Sequence, residues 1–330
     1  MIRRRAFITL LGGAAAWPLA ARAQTPDRLR RVGVLMNVIE NDPGGVMEMA
    51  DFRQGLAELG WIDERNIHTE FRWPGGDLDR VQSMARELIE LKPDVLLARS
   101  TPTTAALKRE SGGIPIVFVN VTEPVEQGFV QTLARPGGNI TGFTNFESMI
   151  GGKWLQLLKE LDPRIARVGI LFNPQTAPFA GLFLRSVEAA APGLGVEVAA
   201  MPVQSEADIE TVMTEFARRP GGGLVAIPDS FTGEHRDQVI AQAARNRLPI
   251  LYTNLVSTPS GGLMAYSVDT RDLMHRAAGY VDRILKGDKP SELPVQQPGK
   301  FELSINLKTA KALGLTVPQS LLTIADEVIE

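Results

Sequence analysis

The chain contains no cysteine. That absence excludes disulfides, thiol nucleophiles, cysteine-ligated metals and a lipid-modified cysteine at a signal-cleavage site. Histidine is nearly as scarce. His68, His235 and His275 stand far apart with no metal-ligand spacing, so neither a metal nor a cofactor is expected. There is no G-x-S-x-G elbow, no Walker A loop and no G-x-G-x-x-G after a strand. Gly221-Gly222-Gly223 precedes a strand and reads as a turn. With no nucleophile, triad or metal pattern, no catalytic residue is assigned and an enzyme is not expected. A basic excess is missing too: the formal net charge is −3, which gives no electrostatic footprint for nucleic acid. Beyond the first two dozen residues, no apolar run is long enough to span a bilayer.

What is present begins with the N-terminus. Arg3, Arg4 and Arg5 precede a short apolar run, Phe7 to Leu19, and Ala21-Arg22-Ala23 fits a cleavage site that leaves Gln24 as the mature terminus. Residues 1–23 therefore read as a cleavable signal peptide, and the protein as periplasmic. Arg4-Arg5-Ala6-Phe7-Ile8 resembles a twin-arginine signal, so the Sec and twin-arginine routes both stay open. Cleavage removes four arginines and no acid, taking the formal charge from −3 to −7. The 330 residues, 44% hydrophobic and 22% charged, are too many for the commonest single domain and suit two lobes.

The chain also repeats itself. RVGVLMN at 31–37 is echoed by RVGILFN at 167–173, and IPIVFVN at 114–120 by LPILYTN at 248–254. Between them the halves match in order. Helix Val46–Leu59 corresponds to Phe179–Leu194, strand Asn66–Trp73 to Val196–Val203, helix Leu78–Leu91 to Ala207–Arg218, and strand Asp94–Ala98 to Gly223–Ile227. Each half then reaches a Gly-Gly pair and a further short strand, at 137–144 and 261–267. An ordered series at nearly constant offset marks two copies of one unit. Strands alternating with helices imply βαβ units and parallel sheets. The expected fold is α/β, with two doubly wound parallel-sheet lobes joined by three crossings. In such sheets ligands bind outside the carboxyl ends of the strands.

These segments, with FRQGLAELGW, IPIVFVNVTEPVEQGFVQTLARPGGNITGFT and YVDRILKGDKPSELPVQQPGKFELSINLKTAKALGLTVP, carry a resemblance over Arg30 to Glu330. The chain resembles the type I periplasmic binding proteins, specifically the ABC-importer substrate-binding family that has aromatic-amino-acid-binding members. The resemblance implies two lobes closing on a small-molecule solute, an amino acid or an aromatic or aliphatic carboxylate. It also implies delivery to an ABC permease and ATPase complex at the inner membrane. The expected lobes are 30–144 plus 269–298 and 145–268 plus 299–330, in a monomer. Two other classes share the frame: a periplasmic ligand-sensing module for a membrane receptor, and an exported hydrolase on a two-lobed fold.

Candidate ligand-binding residues sit at strand ends. Asn37 and Val38 follow the first strand. Ser100, Thr101, Pro102 and Thr103 follow the third, with Thr101 expected as helix N-cap, Pro102 as the first helical residue, and free N–H groups suited to a carboxylate. Thr122 and Glu123 end the fourth. Asn173, Pro174, Asp229 and Asn254 are their counterparts in the second half. Asp229 is the candidate partner for a ligand ammonium, or else the cap of the next helix. Phe146, Tyr252 and Tyr266 are either aromatic walls or core. Asp269 reaches either the cleft or the hinge. Arg99 departs from the small residue that the family places before this turn: pointing inward it clamps a carboxylate, pointing outward it is a surface residue.

Overall fold

The structure, a computed structural model, describes residues 29–330; the expected signal peptide lies outside them. The first sheet is built from β1 (Arg30–Leu35), α1 (Pro43–Glu58), β2 (Ile67–Arg72), α2 (Leu78–Glu90), β3 (Val95–Arg99), α3 (Thr101–Glu110), β4 (Ile116–Val121) and β5 (Ile140–Thr144). The second half follows as α4 (Gly151–Leu161), β6 (Arg167–Phe172), α5 (Ala180–Leu194), β7 (Glu197–Pro202), α6 (Glu206–Ala217), β8 (Gly222–Ala226), α7 (Ser230–Glu234), α8 (Arg236–Asn246), β9 (Ile250–Tyr252) and β10 (Met264–Val268). After these come α9 (Thr270–Leu285), β11 (Phe301–Asn306), α10 (Leu307–Ala312), α11 (Gln319–Ile324) and β12 (Glu327–Ile329).

The sequence repeat is a structural repeat. The first sheet has strand order β2-β1-β3-β4-β5, and the second contains β7-β6-β8-β9-β10 in the corresponding order. All pairings within these two sets are parallel. The β-branched runs that identify β1 and β6 are buried on both sides, as strands between two helical layers must be. Val32, Val34 and Val95 pack toward α1 and α9, while Leu35, Leu96 and Phe118 pack toward α2 and α3. In the second lobe, Trp154, Phe183 and Ile170 fill one face and Met213, Phe216 and Leu224 the other.

Two features depart from a simple pair of parallel sheets. First, α9 follows β10 of the second sheet but packs on α1 of the first lobe, where a Cβ on Gly55 would stand 2.9 Å from Ala278 Cβ. Second, β11 pairs antiparallel with β10, Val268 facing Phe301. The reason is geometric: β10 leaves the second lobe at the same end where β11 enters it, so the two must run oppositely. β12 then adds parallel to β11 at the sheet edge. The return path first touches β5, where the Gln296 N–H donates to Gly142 O at 2.9 Å and the Thr144 N–H donates to Gln296 O at 2.9 Å. Gly142 is required there, because at φ 154° a Cβ would lie 2.0 Å from Phe118 O.

Each histidine faces a glutamate: His68 faces Glu64 and Glu70, His235 faces Glu206, and His275 faces Glu58. Their separation in sequence hides one local grouping, since Asp63, Glu64 and His68 bring their donor atoms within 4.8 Å of one another on the surface. His68 Nδ1 lies 2.5 Å from Glu64 and Nε2 lies 3.2 Å from Glu70. The hydrogen bond to Glu64, with help from Glu70, raises the imidazole pKa above its ordinary 6.5. A raised folded-state value means the contribution is fully present below about pH 6.5 and is lost as pH rises through the folded-state value. Relative to His68→Gln, the wild type should lose stability between pH 6 and pH 8.5, by about 0.2–1 kcal/mol for so exposed a pair. Urea unfolding of both proteins at the two pH values measures it; parallel behaviour would remove His68 from the account.

Candidate functional site

The carboxyl ends of both parallel sheets open onto one cavity of about 390 Å³. The first lobe contributes Asn37 and Val38 after β1, Arg99 to Pro102 at the β3–α3 turn, Asn120 and Thr122 at the end of β4, and Asn145 in the first crossing. Phe179, Asp229, Ser230, Tyr252 and Asn254 come from the second lobe, and Asp269 from the second crossing.

The β3–α3 turn holds the strongest chemistry. The N-cap is Ser100, not Thr101, so Thr101 is the first helical residue and Pro102 the second. Ser100 sits at φ 98°, ψ 165°, a region almost reserved for glycine. Asn120 at φ 61° and Glu123 at φ 50° are also left-handed, so three of this lobe's positive-φ non-glycine residues stand at the ends of β3 and β4; Glu64 and Lys92 are in the loops before β2 and β3. Ser100 makes no side-chain cap, and among the described residues the N–H groups of Thr101 and Thr103 have no acceptor. The ten-residue helix therefore presents uncapped donors, and the positive end of its dipole, beside the cavity. The equivalent helix end in the second lobe is closed. Asp229 accepts from the N–H groups of Phe231 (3.1 Å), Thr232 (3.3 Å) and Asn173 (2.8 Å), and from the Thr176 hydroxyl. Burial pushes its pKa up, and these four hydrogen bonds oppose that rise. All of its acceptor capacity is spent on tying α7 to the end of β6, which leaves none for a ligand ammonium.

Of the other expected residues, Asn37, Val38, Ser100, Thr101, Pro102, Thr122, Tyr252, Asn254 and Asp269 line the cavity with Asp229. Six lie off it. Thr103 is fully buried, its hydroxyl donating to Arg99 O at 2.7 Å. Glu123 accepts from the Ser148 N–H at 2.6 Å. Phe146 is core, edge-on to Trp154 at 5.4 Å. Tyr266 stacks on Phe301 at 5.5 Å. Asn173 turns its side chain to the Gln175 N–H, and Pro174 is exposed. The aromatic pair at the cavity is Tyr252 and Phe179; Phe179 is the N-cap residue of α5 and gives no signal in sequence apart from the hydrophobic run it starts. Arg99 points inward, but its guanidinium is engaged by Glu48, a residue of α1 that sequence spacing does not connect to it. Asp269 caps α9 with Oδ1 alone, accepting from Arg271 N at 2.9 Å and Asp272 N at 3.2 Å, so Oδ2 remains available.

The lobes touch across the cavity. Asn37 Nδ2 donates to Ser230 Oγ at 2.8 Å, the Gly76 N–H donates to Glu234 Oε2 at 2.6 Å, and Arg236 lies 3.6 Å from Asp42. Every second-lobe partner comes from α7 or the residues beside it.

Comparison with known proteins fits this geometry. Residues 32–329 match the family described as ABC transporter substrate binding protein. The chain belongs to that family. Its function is that of the substrate-binding component of an ABC transporter, and the two-lobed α/β architecture is that of periplasmic binding proteins. It is similar to a tyrosine-binding protein of Clostridioides difficile (strain R20291), 27% identical over 265 residues covering 80% of this chain and 75% of that one. Among solved structures it is similar to the ABC domain in complex with L-Trp from Streptococcus pneumonia, with a TM-score of 0.83, 25% identity, and 91% and 100% of the two chains covered. The ligand-free, open structure of a substrate-binding protein with adhesive properties from Clostridium difficile shares the fold, with a TM-score of 0.67, 23% identity, and 91% and 99% covered. Among the described residues no helix is long and apolar enough to cross a membrane.

Strain at Ser100 gives a direct check on the site. Replacing it by glycine removes the conformational penalty at φ 98° and should raise stability by about 1 kcal/mol, since glycine's greater freedom in the unfolded chain offsets part of the gain. Denaturant midpoints of wild type and Ser100→Gly measure it. A destabilised variant would mean the backbone there is relaxed.

Proposed function

We propose that the protein captures an α-amino acid with an apolar or aromatic side chain between its lobes and presents it, unchanged, to its permease. The observation that carries this reading is the uncapped N-terminus of α3 at a cavity bounded by two lobes. A ligand carboxylate satisfies the free N–H of Thr101 and takes the positive end of the helix dipole. The ammonium goes to Asp269 Oδ2, in place of the saturated Asp229. The side chain lies toward Phe179, Tyr252 and the apolar lining of Ile227 and Val256. What the two relatives are named for binding, tyrosine and L-Trp, supports the same class.

Affinity here comes from closure. A ligand that touches both lobes stabilises the closed form by its differential contacts, and that form carries the surface a permease recognises. The contacts across the cavity, Asn37 with Ser230, Gly76 with Glu234 and Arg236 with Asp42, support a closed arrangement for this chain. In this reading the moving bodies are 30–144 with 269–298 and 145–268 with 299–330, the protein works as a monomer in the periplasm after loss of residues 1–23, and no bond of the ligand is broken.

Calorimetric titration with L-tyrosine and L-tryptophan tests the reading. Saturable binding is expected, with the amino acid recovered intact. Tyramine, which lacks the carboxylate, should bind at least about 10-fold more weakly, as the loss of charge-assisted hydrogen bonds worth about 1.5–3 kcal/mol requires. Asp269→Asn keeps the α9 cap but not the charge, and should weaken L-tyrosine binding by a similar factor. Equal affinity for tyramine would reject the α3 assignment, and consumption of the ligand would move the protein to the hydrolases.

A further inference from the structure

In the wall of the cavity lies a nearly buried ion pair whose polar groups are largely spent on the protein itself. Arg99 and Glu48 are 8% and 2% exposed. Arg99 Nη2 donates to Glu48 Oε1 at 2.7 Å and its Nε donates to the other carboxylate oxygen, a two-pronged pairing that fixes the guanidinium plane. Nη1 is then left to donate to Asn37 Oδ1 at 2.5 Å. Arginine has no acceptor, so it can hold only the oxygen of that amide. The Asn37 NH2 must therefore face away from Arg99. In that direction stands Ser230 Oγ, 2.8 Å distant and on the opposite lobe.

Glu48, Arg99 and Asn37 all belong to the first lobe, from α1, β3 and the end of β1; only the last link crosses the cleft. Asn37 is 6% exposed and Ser230 9%. The other two links described across the cavity are weaker candidates for control. Arg236 and Asp42 stand 3.6 Å apart, and the Gly76–Glu234 contact is exposed to water.

We propose that Arg99, locked by Glu48, is a positioning residue for a latch between the lobes: it presents the Asn37 amide with its NH2 toward Ser230 and so sets, through Asn37, the balance of closed and open forms. The proposal rests on the closure reading. A desolvated ion pair suits this task. Exchange of such a pair for apolar residues of similar volume is often neutral for folding, so its value lies in orientation. In the open form Asn37 and Ser230 return to water, while the Glu48–Arg99–Asn37 arrangement stays preset for the next closure.

The natural absence of cysteine allows one engineered cysteine on α2 and one on α6 to carry spin labels without background. Interlobe distance distributions are recorded without ligand and with L-tyrosine for the labelled wild type, Ser230→Ala, the paired Arg99→Met/Glu48→Leu variant, and their combination. Each of the first two changes should lower the closed-to-open ratio by about 3–10-fold, the range for one net hydrogen bond. The combination should lower it no further, because both remove the same latch and the effects must be non-additive. If the paired variant does not fold, Arg99→Lys takes its place; its ammonium lacks the planar fork, and the same non-additivity with Ser230→Ala is expected. Effects that multiply, or a ratio that follows Ser230 but ignores Arg99, would overturn the latch while leaving closure intact. A single distribution, unchanged in every condition, would overturn closure itself.

Discussion

The parallel direction of the strands is the constraint from which the function follows. A parallel sheet sends every strand's carboxyl end, and the start of every following helix, to the same edge. Two such sheets joined by crossings at that edge bring polar turns and helix N-termini of both lobes to one cavity. The antiparallel β11 is the exception that proves useful: it exists because the last crossing enters the second lobe where β10 leaves it, and it anchors the C-terminal segment without occupying the cleft.

Within that frame the two lobes divide the work unequally. The β6 side spends its polar groups on itself, with Asp229 closing the end of α7 and binding it to Asn173 and Thr176. Structure on the β3 side is strained and uncapped, leaving Thr101 free to meet a ligand. In the proposed reading the duplicated fold keeps one helix end for recognition, while its counterpart, closed by Asp229, becomes a contact element. The elements that touch across the cleft are the Asp229-tied α7 and the arginine-held Asn37.

The duplicated strands and helices were legible in sequence because period and order survive in single residues: RVGVLMN and RVGILFN, and IPIVFVN and LPILYTN, became central strands in matching positions. Cavity residues at or just after strand ends, such as Asn37, Thr101 and Tyr252, followed from the same logic. What sequence could not supply is pairing over distance. Glu48 lies 51 residues from Arg99, and nothing local marks it as a partner. Saturation of Asp229 depends on Thr176, 53 residues away. Phe146 and Tyr266 end or follow strands as pocket residues do, yet both turn toward Phe301, on a strand whose placement depends on the third crossing. The N-cap shift from Thr101 to Ser100 is a matter of one backbone angle, which residue preference does not resolve.

The central claim is that an amino acid draws two lobes together around the α3 N-terminus. Small-angle X-ray scattering of the mature protein, alone and with saturating L-tyrosine or L-tryptophan, addresses it most directly. The account predicts a smaller radius of gyration with ligand, reached at the same stoichiometry as binding. A scattering curve that does not change while the amino acid binds would contradict it.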